Sequence, residues 1–146
     1  MQHGNKKGSA TETGHIGWSQ IRAFEIEAEA PAVLKIGVKE GRILGNTQFK
    51  ELRIKKLNDS YPAMSMLKNR SEESDLIIEN DIKTIKLTFK NAWLVNCKIV
   101  CEGLNIYEYL TFSYTNYEQS MTTVDKNNKR GPAFITSYDL VHNQWD

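Results

Sequence analysis

Residues whose side chains could carry chemistry are few in this chain, and their spacing fits none of the common sites. Cys97 and Cys101 share a face of one predicted strand, which separates them by about 13 Å along the strand. A disulfide requires Cα atoms within about 7 Å, so we expect two free cysteines, buried as small apolar side chains. The histidines His3, His15 and His142 show no metal-ligand spacing.

An acidic pair and the tryptophans complete the set of candidate residues. Glu72 and Glu73 lie in a predicted charged turn over residues 70–74, and no Ser-His-Asp spacing, phosphate-binding glycine loop or metal cluster accompanies them. We therefore predict that the protein is not an enzyme and binds no metal or cofactor. Exposed tryptophans could instead stack on sugar rings in a monomeric ligand-binding β-sandwich, although a large aromatic is more often buried in a core or an interface. The tryptophans are Trp18, Trp93 and Trp145.

Composition and charge narrow the class of protein. The 146 residues suit one domain over 1–146, in which the Gly-, Lys-, Ser- and Thr-rich residues 1–13 are predicted to be a mobile or exposed start. Lys plus Arg total 19 and Asp plus Glu total 18, a balance that argues against a nucleic-acid partner and permits self-association. No apolar run approaches the roughly 20 residues of a membrane span. Residues 1–14 also lack the apolar core of a signal peptide.

Strands make up most of the predicted structure, and residues 82–117 form its central stretch. Apolar and polar residues alternate from Ile85 to Phe89 and again from Leu110 to Tyr114, which is typical of a strand with one buried face. The stretch is too long for one strand. We therefore predict antiparallel strands that turn at Asn91 and over residues 102–105.

Further strands are predicted on either side of this stretch, together with one short helix. Residues 15–27 are predicted to form a strand or a bent strand pair, residues 48–57 and 75–79 form further strands, and a closing strand covers 134–140. The helix is predicted over 60–69, where Asp59 and Ser60 form a cap-type cluster and an amphipathic pattern follows. Its residues include Pro62, Met64, Met66 and Leu67, with the methionines expected to act as packing material.

A glycine-punctuated segment over residues 31–46 is the most unusual part of the sequence. It is irregular in pattern but rich in aliphatic side chains, which must eventually be covered. Either it folds back as a ribbon on its own sheet, or another subunit covers it. We favour the second alternative and predict a ring-stacking loop made of Val33, Leu34, Ile36, Val38, Ile43 and Leu44.

Five local segments, taken in order, resemble the haemolysin-coregulated protein (Hcp) family, the tube subunit of the bacterial type VI secretion system. Residues 14–18 look like the family's Gly-Glu-Ile entry to its early strand, and 48–52 with Lys55 and Lys56 resemble its Phe-x-x-Leu...Lys strand. Residues 59–62 look like the Asp-x-x-Ser-Pro start of its helix. Residues 108–118 are similar to its Glu-x-Val-x-Leu strand, and 131–143 resemble its closing Gly...Trp-Asp-x-x-x-Asn segment.

The resemblance implies a mainly β fold, a two-sheet antiparallel β-barrel or sandwich with one short α-helix, that assembles into hexameric rings. Stacked rings would make a hollow tube, able to carry or chaperone effectors and expelled by a contractile sheath. The implied partners are further copies of the chain, sheath, spike and baseplate proteins, and secreted effectors. The implied location is the cytoplasm before firing, followed by secretion without a signal peptide. A phage-like tail-tube protein shares this architecture and is kept as an alternative.

Overall fold

One long strand runs through both sheets of the structure, a computed structural model that describes residues 1–11, 13–34, 42–68 and 74–146. The single helix within those residues is α1 (Ala63–Met66). The strands within them, in chain order, are β1 (Gln2–His3), β2 (Ile21–Glu25), β3 (Ala28–Glu29), β4 (Ala32–Leu34), β5 (Arg42–Leu44), β6 (Gln48–Phe49), β7 (Leu52–Leu57), β8 (Ser74–Glu79), β9 (Ile85–Glu102), β10 (Asn105–Ser113), β11 (Asn116–Val124), β12 (Arg130–Asp139) and β13 (Gln144–Trp145).

The central strand β9 changes partners halfway along its 18 residues. Its first half lies between β8 and β11 in a first sheet with the order β1-β8-β9-β11-β12-β13. Its second half pairs with β10 in a second sheet with the order β9-β10-β7-β2. All of these pairs are antiparallel, so the predicted fold class of a mainly β, two-sheet antiparallel architecture with one short helix is confirmed.

The bend between the two halves of β9 lies at Asn91, where the sequence predicted a reverse turn. Asn91 has a φ of +47°, a conformation that Asn tolerates better than most residues. Asp75 holds the bend, because its carboxylate accepts the Asn91 N–H at 3.2 Å and the Lys90 ammonium at 3.0 Å. The prediction of a turn at Asn91 is therefore wrong, whereas the turn over 102–105 is confirmed by the Glu102–Asn105 pairing.

The core lies between the inner faces of the two sheets. Alternate residues of each strand supply it, as the sequence pattern predicted: Leu52 and Ile54 from β7, Leu110 and Phe112 from β10, Leu87 and Phe89 from β9. Full burial of one such side chain contributes about 1.5–3 kcal/mol to stability. The other predicted strands are present as β2, as β6 and β7, as β8 and as β12, but of the strand predicted over 15–27 only β2 forms.

The helix is shorter than the sequence predicted. α1 starts after Pro62, and no side chain caps it, because the Asp59 carboxylate binds Lys56 and the Tyr61 backbone N–H instead. Met66 is buried and Leu67 packs against the core, but Met64 is 52% exposed. The expectation that both methionines pack is therefore wrong for Met64, and residue 69 lies outside the described residues.

The start of the chain packs against the first sheet. β1 pairs with β8, and Met1, His3 and Ala10 are buried. His3 places Nδ1 2.7 Å from the Tyr61 hydroxyl oxygen and Nε2 2.8 Å from the Ala92 carbonyl oxygen. The expectation of an exposed start is wrong for these three residues, because the sequence did not show that a polar His would find two buried partners.

Candidate functional site

The second sheet presents two strand edges that pair with nothing further in the described part of the chain. Residues 93–102 of β9 pair only with β10, and β2 pairs only with β7. The free N–H and C=O groups of such an edge can pair with a strand of another chain. Because the sheet has four antiparallel strands, its two edge strands, β9 and β2, run in opposite directions. The β2 strand of a second copy, laid beside β9, would therefore continue the sheet in the antiparallel sense.

The β9 edge is apolar over most of its length. Trp93, Val95 and Ile99 are each exposed by about two fifths or more, while Lys98 and Glu102 are the charged residues of this half of the strand. Edge strands of monomeric proteins are usually protected by charge, proline or short length. This edge has little such protection, which makes it a candidate surface for assembly.

Beside the β2 edge lies a cleft of about 730 Å³, where the two sheets do not close on each other. Phe24 and Ile85 line it and are each about 40% exposed. On the polar wall, His15 Nε2 lies 3.0 Å from Glu79 Oε1, and the Trp18 ring contacts the imidazole edge-on. The described lining of the cleft contains no Ser, Thr, Cys or Lys.

An apolar row continues from the cleft across the first sheet. Ile85, Met121 and Phe134 are direct cross-strand neighbours on β9, β11 and β12. They share the face of the core residues Leu87 and Phe89, yet they are 40%, 44% and 64% exposed. The core-facing side of the first sheet therefore extends past the protein's own core, which is typical of a surface covered by a partner.

The predicted ring-stacking loop forms a small ribbon in the structure. Val33 and Leu34 lie in β4, and Ile43 and Leu44 lie in β5, which pairs with β4. The remaining predicted residues, Ile36 and Val38, lie outside the described residues. The ribbon does fold back on itself, but within the described part of the chain its strands pair with neither sheet.

The turn of the β9–β10 hairpin is an apolar surface that the sequence analysis missed. It projects past the last β7–β10 pair, Leu57 with Tyr107. Leu104 is fully exposed at the turn, and Ile99 and Ile106 are about half exposed beside it. A Leu next to the turn glycine was the available signal, because turns normally carry polar residues at such positions.

A buried charged cluster joins the residues by which the sequence resembles the Hcp family. Lys56 Nζ lies 2.6 Å from Asp59 Oδ1 and 2.5 Å from Glu108 Oε2, and Asn58 donates to the other Glu108 oxygen at 3.1 Å. Burial opposes ionisation of Asp59, but hydrogen bonds from Lys56 and from the Tyr61 N–H outweigh it and lower the pKa of this carboxyl. The cluster ties β7, β10 and the start of α1 together.

The remaining sequence candidates do not converge on one site. Cys97 is partly buried and Cys101 is exposed, so the expectation that both are buried is wrong for Cys101. Trp18 lies at the cleft, Trp93 on the β9 edge, and Trp145 against Phe49 and Tyr138. The tryptophans therefore form no common platform.

Among the described residues, no group of three or more His, Cys, Asp or Glu side chains could hold a metal ion. None of the helices described is long and apolar enough to span a membrane.

Comparison with solved structures shows the fold of the chain. No family model matches the chain, and no curated protein matches it. A solved structure described as a type six secretion system protein superposes with a TM-score of 0.84 and 15% identity over 99% of this chain and 96% of that chain. Hcp1 from Salmonella typhimurium gives 0.72 and 12% identity over 97% and 93%, and a type VI secretion system effector from Yersinia pestis gives 0.70 and 12% over 94% and 96%.

These matches define the fold. The architecture is one found in proteins of type VI secretion systems, and it extends over nearly the whole chain. Within that class it is the Hcp fold, as the resemblance in the sequence predicted.

Proposed function

We propose that this protein is a structural, non-catalytic subunit of a type VI secretion tube. Its copies form hexameric rings, and the rings stack into a hollow tube that a contractile sheath expels and that can carry effectors in its lumen. Sheath, spike and baseplate proteins and the effectors are the proposed partners. The tube is built in the cytoplasm and is secreted when the sheath contracts. The observation that carries the proposal is the pair of open edges on the second sheet of an Hcp fold.

Pairing of the β9 edge of one copy with the β2 edge of the next explains how identical subunits can build a ring. The β9 edge and the β2 edge are different surfaces, so their contact is heterologous, and repeating it with a fixed rotation closes a ring. Each copy would add four antiparallel strands to a continuous sheet. The contact would also cover Trp93 and Val95 of one copy and Phe24 of the next. Burying the remaining exposed part of such a side chain contributes on the order of 1 kcal/mol, so the backbone pairing and several apolar contacts act together.

Stacking of rings is assigned to the β4–β5 ribbon. Its strands pair only with each other within the described residues, and Val33, Leu34, Ile43 and Leu44 supply aliphatic side chains. Ile36 and Val38 belong to the same proposal by sequence alone. The double change Val38→Asp with Leu44→Asp should leave rings intact and abolish tubes. If the segment instead packs internally, the same change should lower the stability of the subunit itself by several kcal/mol.

The test of ring formation is the mass of the protein in solution. Light scattering on the unmodified protein should give a closed multiple of the subunit mass, and electron microscopy should show rings. Val95→Asp with Ile99→Asp places charge on the β9 edge and should yield folded monomers. The control Ile135→Asp, at an exposed position of β12, should retain rings. An unmodified protein that is monomeric at all concentrations would contradict the proposal and favour a ligand-binding β-sandwich with the cleft as its site.

A further inference from the structure

The first sheet also has an open edge, which lies on strand β12. β13 pairs with β12 only at Tyr138 and Asp139, and the Asp146 N–H donates to the Ser137 carbonyl oxygen at 3.1 Å. Before Ser137, residues 131–136 have β11 on one side and no strand of the described chain on the other. More than half of β12 is therefore open to pairing with a further strand.

The backbone groups on this open edge follow from the hydrogen bonds beside it. The Ser137 carbonyl points towards β13, whereas the Leu140 N–H donates towards the start of β11. Because successive residues of a strand direct their backbone groups to opposite sides, the N–H and C=O groups of Ala133 and Ile135 face the open side. Pro132 faces β11, so its missing N–H leaves the open edge unblocked.

The open edge is apolar and carries no charge of its own. The charged residues of β12 are its first and last, Arg130 and Asp139. Both are engaged within the subunit, because the Arg130 guanidinium donates to two backbone carbonyl oxygens and the Asp139 carboxylate binds His142. Between them, Phe134 and Ile135 lie on opposite faces of the strand and are each 64% exposed. Proteins normally protect such an edge with charge or cover it, so this edge indicates a partner.

A basic rim lies at the end of the edge where β12 begins. Lys126 and Lys129 are exposed in the turn before the strand, and Arg130 donates to the carbonyl oxygen of Lys83, which is also exposed, at 2.9 Å. The acidic residue of the turn, Asp125, accepts two backbone N–H groups of the turn itself. The basic rim therefore favours a partner with acidic side chains at this end.

We infer that the open edge of β12 is a pairing site for an extended segment of another protein, which adds one antiparallel strand and carries acidic residues directly after it. An antiparallel strand ends beside the start of β12, so the acidic residues would meet the basic rim. The added residue opposite Phe134 would extend the apolar row that Phe134 forms with Met121 and Ile85. Strand addition of this kind takes affinity from backbone hydrogen bonds and specificity from alternate side chains. The inference goes beyond the proposed function, which uses the edges of the second sheet.

A second copy of the chain is a less suitable occupant. β13 closes the open edge at Ser137, so the chain that precedes the added strand must leave the sheet there. If Ile135 of a second copy paired with Ala133, its Arg130 would lie opposite Tyr138, a position that Trp145 already occupies. A strand fixed in its own sheet by β11 cannot turn away at that point, whereas an extended segment can.

Fluorescence anisotropy with a labelled peptide tests the site. The probe is the amidated peptide Ser-Val-Thr-Val-Tyr-Val-Asp-Asp-Glu, and the control probe has three lysines in place of its acidic residues. The first probe should bind and the second should bind more weakly. Ala133→Pro removes an outward N–H and Ile135→Asp adds charge to the edge, so each should weaken binding by about ten-fold or more. Val141→Asp, a matched change at a 65% exposed position outside the edge, should leave binding unchanged.

Amide hydrogen exchange identifies where the probe pairs. Binding should protect the N–H groups of Ala133 and Ile135 and leave those of Phe134 and Thr136, which face β11, unchanged. No binding at about 1 mM probe, or equal binding by Ile135→Asp and Val141→Asp, would overturn the inference. Dimers of the unmodified protein that Ile135→Asp dissociates would also overturn it, by assigning the edge to a second copy. Ring formation is a separate readout, because Ile135→Asp should leave rings intact.

Discussion

The buried charged cluster makes a strong prediction about stability. Lys56 is fully buried, and its ammonium lies within ion-pair distance of Asp59 and Glu108, whose side chains are also almost fully buried. Lys56→Met keeps a side chain of similar length but removes the cation. Two carboxylates are then left close together in the protein interior without a positive partner.

The expected cost is large compared with the stability of a domain. Removing one partner of a buried ion pair typically costs about 3–5 kcal/mol, out of a total unfolding free energy of about 5–15 kcal/mol. With a urea dependence of about 1–3 kcal/mol per molar, the unfolding midpoint should fall by about 1 M or more. Lys55→Met is the matched control, because Lys55 is the preceding residue of β7 and pairs with the exposed Glu102. The control should change the midpoint little, since exposed ion pairs are screened by solvent.

Urea unfolding followed by tryptophan fluorescence, at one verified oligomeric state, measures both variants. A pH series adds a second test. The lowered pKa of folded Asp59 means that its stabilising contribution is present above the unfolded pKa of about 3.9 and is lost as pH falls through the folded pKa. In Lys56→Met, protonation of Asp59 on acidification should instead relieve the unpaired charge, so the deficit relative to the unmodified protein should shrink. Equal midpoints for Lys56→Met and Lys55→Met would refute this reasoning.

Three smaller predictions address other parts of the structure. Asn91→Ala should be about 1–2 kcal/mol less stable than Asn91→Gly in thermal unfolding, because Asn91 has a positive φ; equal stability would show that the bend does not require it. Tyr138→Phe should cost about 0.5–1.5 kcal/mol, because the buried hydroxyl donates to the Thr47 carbonyl oxygen at 2.7 Å. Ellman's reagent should modify Cys101 faster than Cys97 in the folded subunit, because burial raises the pKa of the Cys97 thiol; Cys101→Ser should remove the fast phase.

The sequence was sufficient to predict most strands and their buried faces. Period-2 alternation is a local signal, and it correctly placed Leu87, Phe89, Leu110 and Phe112 in the core. The same signal says nothing about which strands become neighbours. The resemblance to the Hcp family supplied that arrangement, and the fold comparison confirmed it.

The candidate surfaces were harder to predict, because exposure at a sheet edge depends on where neighbouring strands end. Ile99 and Leu104 look like ordinary strand and turn residues in the sequence. Leu104 is exposed because β2 and β7 stop before the β9–β10 hairpin does, whereas Ile99 is exposed because β9 is the edge strand of the second sheet. The predicted start of the helix was wrong for a related reason. The Asp59 carboxylate binds the buried Lys56 ammonium and was not available as a cap. Both outcomes depend on contacts between residues far apart in the chain, or on partners that periodicity does not identify.

The bend at Asn91 explains both the wrong prediction of a turn and the open edge used in the proposed assembly. A reverse turn at this residue would have folded residues 93–102 back against residues 85–90, and both halves of the stretch would have been paired. The bend instead carries the strand out of the first sheet, where it has neighbours on both sides, into the second, where it pairs only with β10. One residue with a positive φ, held by Asp75, therefore both joins the two sheets into one core and creates the open edge on which a ring can be built.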